Sequence, residues 1–265
     1  MDVVAFKPGN VSLWAGGHAM QAADFLLSAR VAVPCLTSTQ TSVGQRIECA
    51  VEATQQAVGC NTNLGIILLL APLALAAERA RATDLRVRVG EVLRALDRDD
   101  AAACFRAICR AQPAGLGAVA AGDVRAPPAM NLLHAMRLAA VRDRIAAAYV
   151  SDYREIFEVG VPTLMRARQR WHSLAWASTA CYLRLLADGP DTHIVRKWGI
   201  TLAEEVSARA RAVESALEAC ENPRTAVAQL WAFDDELKSR GVNPGTSADL
   251  TAACVAVLLL QARLA

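Results

Sequence analysis

Residues 64–77, LGIILLLAPLALAA, decide how the rest of the chain is read. They form 14 apolar positions with Pro72 among them. A membrane span needs about 20 predominantly apolar residues, so this stretch predicts a buried core helix. The other long apolar run, Ala252 to Leu260, is shorter still. The start, Met1-Asp2-Val3-Val4-Ala5-Phe6-Lys7-Pro8, has neither the basic segment nor the long apolar segment of a signal peptide. The expectation is a cytoplasmic protein that neither spans nor binds a membrane.

The composition around this core agrees. The 265 residues are 54% hydrophobic but only 5% aromatic and 20% charged, with a net charge of +2. Ala, Leu and Arg dominate at the expense of β-branched and aromatic residues, which favours helices over strands. High apolar content at low net charge excludes collagen and disorder. The slight basic excess and few aromatics argue against a nucleic-acid partner. The eight cysteines contain no CxxC pair and read as buried, reduced thiols rather than zinc ligands or disulfides.

Helices with polar punctuation follow along the chain. One covers Gly17 to Val33, and Ser42-Val43-Gly44-Gln45 is a capping box that opens the next. The core helix runs from Leu64 to about Arg81, another from an Asp84 cap to Leu96, and another from Asp99 or Asp100 to Arg110. A Gly/Ala/Pro-rich loop spans Pro113 to Pro128, and long helices are expected over 129–150 and 162–187. A capping box at Thr201-Leu202-Ala203-Glu204, a start at Asn222-Pro223 and a last helix from Ser247 to Leu264 complete the reading. No period-2 segments stand out. The predicted class is all-α: a single domain over 1–265, a bundle of roughly ten helices whose polar loops converge on one site.

Those loops hold the chemistry. The first is Lys7-Pro8-Gly9-Asn10-Val11-Ser12, followed by Gly16-Gly17-His18-Ala19-Met20 and Asp24-Phe25. The second is Asn61-Thr62-Asn63-Leu64-Gly65. The third is Asp188-Gly189-Pro190-Asp191-Thr192-His193, with Arg196-Lys197 beyond, and the fourth is Asn243-Pro244-Gly245-Thr246-Ser247-Ala248-Asp249. The second and fourth end at helix N-termini, where free amides and the helix dipole favour anions. Ordinary helix capping accounts for the same residues. His18 and His193 follow flexible turns, unlike His134 and His172 inside apolar helices. Asp24, Asp191 and Asp249 stand beside the loops, where carboxylates could hold Mg²⁺ on a polyphosphate. Walker, Rossmann, HExxH and GxSxG motifs are absent. Only three basic residues are lysines, and two of them, Lys7 and Lys197, fall in these loops.

In this order the loops resemble the triphosphoribosyl-dephospho-CoA synthase family. The family's KPGxVD, GxHxxM and DF elements are matched by residues 7–12, 17–20 and 24–25. Its GVNTHKG element corresponds to residues 59–65, its Asp-Thr element to Asp191 through Lys197, and its NPGGSADL element to Asn243 through Leu250. The resemblance implies an all-α transferase that moves the triphosphoribosyl group of ATP to the 2′-hydroxyl of 3′-dephospho-CoA and releases adenine. It implies Asp24, Asp191, Asp249 and His18 as the chemical groups, with the three aspartates also available to Mg²⁺. It implies Lys7, Gly9, Asn10, Asn61, Thr62, Gly65, His193, Arg196, Lys197, Asn243, Gly245 and Ser247 as contacts to ATP and the CoA-like precursor. The sequence departs from the pattern at Asn63-Leu64, where the family has His-Lys, at Thr246, where it has Gly, and at Gly115-Leu116-Gly117, where it carries charge. Two alternatives follow from those departures. One is a divergent member acting on another cofactor precursor in tetrahydromethanopterin-linked one-carbon metabolism. The other is a non-catalytic nucleotide- or cofactor-binding assembly protein. The apolar excess also leaves room for a homodimer.

Overall fold

In the computed structural model, which describes residues 1–78, 85–113 and 123–264, thirteen α-helices form and no strand is present among the described residues. The all-α reading is correct, with more helices than the ten expected. The chain packs as two compact units, one of residues 23–154 with 259–265, the other of residues 1–22 with 155–258.

The first unit contains α1 (Ala22–Leu36), α2 (Val43–Val58), α3 (Leu64–Ala77), α4 (Leu85–Arg94), α5 (Arg98–Ala111), α6 (Leu132–Ala139) and α7 (Arg144–Val150). The apolar stretch 64–77 is α3, with Leu69, Leu73, Ala71 and Ala76 fully buried. Pro72 has no amide to give, so the Leu68 carbonyl one turn earlier loses its helical donor. Tyr149 supplies the replacement, its hydroxyl donating to Leu68 O at 2.6 Å, and Tyr153 donates to Leu69 O at 3.0 Å. Burial raises both phenols well above their ordinary value, which keeps them protonated donors. The proline and Tyr149 thus form one solution to one backbone problem.

The box at Ser42 and Gln45 forms as read, and α2 packs so closely on α5 that a Cβ on Gly44 would lie 2.5 Å from Asp100 Cα. Asp97, not Asp99 or Asp100, is the N-cap of α5, because Asp97 and Asp100 cap each other's amides. Arg46 is fully buried; it donates to Leu36 O and Thr41 O and pairs with Glu78 at 2.8 Å. Cys35 and Cys49 are joined in a disulfide that ties α1 to α2, which corrects the expectation that all eight thiols are reduced.

The second unit contains the N-terminal segment, α8 (Val161–Trp171), α9 (Leu174–Asp188), α10 (Thr192–Trp198), α11 (Ile200–Ala219), α12 (Val227–Ser239) and, as far as Leu258, α13 (Gly245–Leu264). A π-helical turn, Ile156–Gly160, precedes α8, and a Cβ on Gly160 would lie 2.2 Å from Cys254 Sγ. Only glycine leaves room for that thiol. α13 is long and apolar enough to cross a membrane by length and composition alone, but half of its apolar window is buried inside protein.

Several boundaries differ from the sequence reading, each for a local reason. The segment 17–20 is a turn in which His18 and Ala19 have φ of 55° and 60°, so α1 starts at Ala22. The span 129–150 is two helices, because Asp143 accepts from Ile145 N and Ala146 N and starts α7 afresh. The span 162–187 is broken by His172 at φ 48° and by the Ser173 cap. No side chain caps α11; Gly199 at φ 89° precedes Ile200, and the Thr201 box does not form. The Asp84 cap, the stretch near Arg81 and Gly115-Leu116-Gly117 lie outside the described residues.

Candidate active site

Within the second unit three of the four loops meet. Gly9 adopts φ 85°, and a Cβ there would lie 2.7 Å from Pro244 Cδ, so the first loop abuts the fourth. A Cβ on Gly245 would lie 3.0 Å from His193 Nδ1, so the fourth abuts the third. His18 Nε2 sits 2.9 Å from the Gly9 carbonyl. A carbonyl only accepts, so Nε2 carries the proton in this contact.

The first loop is held by side chains far away in sequence. Asp234 on α12 accepts from Gly9 N at 2.7 Å and from Lys238 Nζ at 2.9 Å. Tyr182 on α9 donates to Pro8 O at 2.5 Å and accepts from Asn10 Nδ2 at 3.1 Å. Thr179, one turn before it, donates to Phe6 O. Burial, reinforced by Asp191 and Asp234, raises the Tyr182 phenol well above its ordinary value, so it keeps the proton it donates.

Asp191 is fully buried and joins two helix starts. Its Oδ1 accepts from His193 N and Ile194 N, and its Oδ2 accepts from Ser247 N at 2.7 Å and Ser247 Oγ at 2.8 Å. Four donors use the four lone-pair directions of the carboxylate. The anion at these two N-termini is the protein's own.

Around this cap the charges are concentrated. Lys7 is 2% exposed and its ammonium is paired with Asp2, whose backbone carbonyl it also meets at 2.8 Å. Asp249 is partly accessible yet deeply surrounded. Burial raises its carboxyl well above the usual carboxylate range; Asp2 and Asp191 push the same way, while Lys7 and Arg196 oppose. His193 goes the other way. Burial, joined by the positive fields of Arg196, Lys197 and His18, lowers it to about 4 against the opposing pull of Asp191. Neither of its ring nitrogens has a hydrogen-bond partner among the described residues. At neutral pH the imidazole is therefore neutral, while the carboxyl keeps its proton to higher pH than an ordinary carboxylate. Asn243 Oδ1 is buried without a hydrogen-bond partner. Lys197 is exposed over the Trp198 ring.

Asp24, Asn61, Thr62 and Gly65 belong to the first unit. There Asn61 Oδ1 caps Leu64 N, Thr62 Oγ1 lies 2.6 Å from Ser28 Oγ, and the negative field of Asp24 adds to the burial that raises the Cys60 thiol. No group of three His, Cys, Asp or Glu residues with metal-binding geometry occurs among the described residues. Asp2, Asp234 and Tyr182 went unnoticed in sequence. Asp2 lies outside the motifs, and the other two meet the first loop across more than 170 residues.

The whole chain, residues 1–265, matches the model of the CitG family, ATP:dephospho-CoA triphosphoribosyl transferase. The protein belongs to that family of triphosphoribosyl-dephospho-CoA synthases and is a transferase that uses ATP and dephospho-CoA. A crystal structure from Archaeoglobus fulgidus, provisionally described as a triphosphoribosyl-dephospho-CoA synthase, superposes with a TM-score of 0.70 at 24% identity. It covers 89% of this chain and 99% of its own. At that identity the likeness speaks for the fold. No curated protein sequence gives a significant match.

Proposed function

We propose that the cluster around Asp249, His193 and Lys7 is where the triphosphoribosyl group leaves adenine and joins the 2′-hydroxyl of dephospho-CoA. The observation carrying this reading is the meeting of three sequence-distant loops around a carboxyl that favours its proton and an imidazole that lacks one. The two groups suit the two proton transfers the reaction needs. As the bond from ribose C1 to adenine breaks, its electron pair goes to adenine, which takes the Asp249 proton. The resulting carboxylate faces the positive charge developing on the ribose. The acceptor oxygen bonds to C1 and its hydroxyl proton passes to His193. Lys7, Arg196 and Lys197 supply the positive charge for the triphosphate. His18, fixed by Gly9, and Asp191, spent on two helix starts, act by positioning.

Mg²⁺ arrives with ATP in this proposal. Mg²⁺ commonly takes one or two carboxylates plus substrate phosphates rather than a full protein cage. Asp2 fits that mode, since Asp191 has no lone pair to spare and Asp249 carries the proton it gives to adenine. Bound there, the ion would offset the triphosphate charge. Asp24, Asn61, Thr62, Gly65, Asn10, Asn243, Gly245 and Ser247 keep their proposed place in substrate binding through the motifs they occupy.

The test is to incubate the purified protein with ATP, Mg²⁺ and dephospho-CoA and to quantify free adenine. Adenine release that requires dephospho-CoA, with a matching gain in acceptor mass, supports the reading. ATP binding with no adenine release contradicts it.

A further inference from the structure

All three tyrosines are fully buried, yet another set of aromatic side chains remains open to solvent beside the first loop. Trp14 is 60% exposed, and Phe6 and Trp231 are partly exposed. The three form a continuous series, with Phe6 at 6.3 Å from Trp14 and at 4.5 Å from Trp231, centroid to centroid. The rings meet at 68° and 47°, so neither pair is stacked, and most of Trp14 is left open to solvent. A cluster built only for packing would bury those faces, because leaving large aromatic surface in water forgoes hydrophobic stabilisation.

The position of the series is fixed by the site itself. Phe6 directly precedes Lys7, and its carbonyl accepts from Thr179. Trp231 lies one turn before Asp234, the acceptor for Gly9 N, and two turns before Lys238. Residues three and four apart share a helix face, so α12 presents an aromatic ring, a carboxylate and an ammonium in sequence along one side. Trp14 is held by a turn in which Ser12 Oγ accepts from Trp14 N and Ala15 N. An exposed indole face next to buried charge suits a planar base attached to a phosphorylated sugar.

We propose that Phe6, Trp14 and Trp231 form a stacking platform for an adenine ring. The proposal rests on the transferase reading above, because ATP and dephospho-CoA each carry that base. The probes are ATP, dephospho-CoA and inorganic tripolyphosphate, which has no base, titrated against the full-length wild type, Trp14→Ala and Trp14→Phe. Stacking on one aromatic side chain predicts that Trp14→Ala weakens an adenine nucleotide about 10-fold or more. Trp14→Phe is expected to restore most of that loss, and tripolyphosphate binding is expected to stay unchanged. Weakening confined to ATP assigns the platform to the departing base, and weakening confined to dephospho-CoA assigns it to the acceptor. Less than twofold weakening of both nucleotides, equal weakening of tripolyphosphate, or no nucleotide binding by the wild type would overturn the platform. Binding needs no turnover, so a Trp14-dependent affinity without adenine release would leave the platform standing and remove the transferase reading instead.

Discussion

Asp100 and Asp191 perform the same construction in the two units. Each is a buried carboxylate that ties together the starts of two helices. Asp100 accepts from Ser42 Oγ and Gly44 N at the start of α2 and from Asp97 N at the start of α5. Asp191 accepts from the first turns of α10 and α13. In each case a glycine makes the approach possible, Gly44 against the Asp100 backbone and Gly245 against the His193 ring. The surroundings differ. Near Asp100, besides its capping partner Asp97, stand Cys104, pushed up to about 12 by burial and by Asp100 itself, and Tyr149, also raised, and these two stay neutral. Near Asp191 stand His193, Asp249, Lys7, Arg196 and Asp2, whose burial and fields pull in opposing directions. The capping device alone says nothing about function. What distinguishes the second instance is a histidine and a carboxyl whose ionisation burial opposes, set among charged side chains.

The comparison is sharpened first by His193→Gln. Loss of a proton acceptor costs about 100-fold or more in turnover, while the fold and nucleotide affinity persist. Steady-state adenine release with a parallel binding titration checks this, and unchanged turnover would remove His193 from the proposal. Gly44→Ala, at the other cap, forces a methyl into the Asp100 backbone. It should cost about 3 kcal/mol in urea unfolding. Activity per folded molecule should not change, because no part of the proposed site depends on that contact.

The pH dependence separates the two regions next. His193 is held at about 4 when folded and returns to its ordinary value of 6.5 when unfolded. The unfolded chain therefore binds more protons between those values. Stability is fully present above pH 6.5 and declines as pH falls toward 4, by about 3 kcal/mol. Denaturation midpoints across that range should flatten in His193→Gln and keep their slope in Asp100→Asn. The smallest effect is Asp100→Asn itself, about 1 kcal/mol for a weakened cap, with no effect on turnover. The matching Asp191→Asn change should lose similar stability but also activity, because it displaces His193 and Ser247. Equal behaviour of the two variants would break the comparison.

Much of the frame was legible because its signals are local. The Ser42 box, the apolar run 64–77 and the order of the polar loops each depend on residues within a turn or two. Pro72 was visible, but the tyrosine that supplies its missing donor lies about 80 residues on. The breaks at Asp143 and His172 were hidden by continuous apolar periodicity, which a cap or a left-handed residue interrupts without changing composition. At the site, the loops could be found but not their division of labour. Asp191, Asp249 and Asp24 look alike in sequence. Only packing reveals that one is consumed by four donors, one is buried among charges of both signs, and one belongs to the other unit.

The central claim is that Asp249 is retained for chemistry at the expense of stability. Its folded carboxyl is raised, so ionisation opposes folding as pH rises above the ordinary carboxylate range. Asn is nearly isosteric and has no charge to bury. The direct measurement is Asp249→Asn at pH 7, recording the urea midpoint and dephospho-CoA-dependent adenine release on one preparation. The account predicts a midpoint equal to or above wild type and adenine release lowered about 100-fold or more. A lowered midpoint, or release at the wild-type rate, would contradict it.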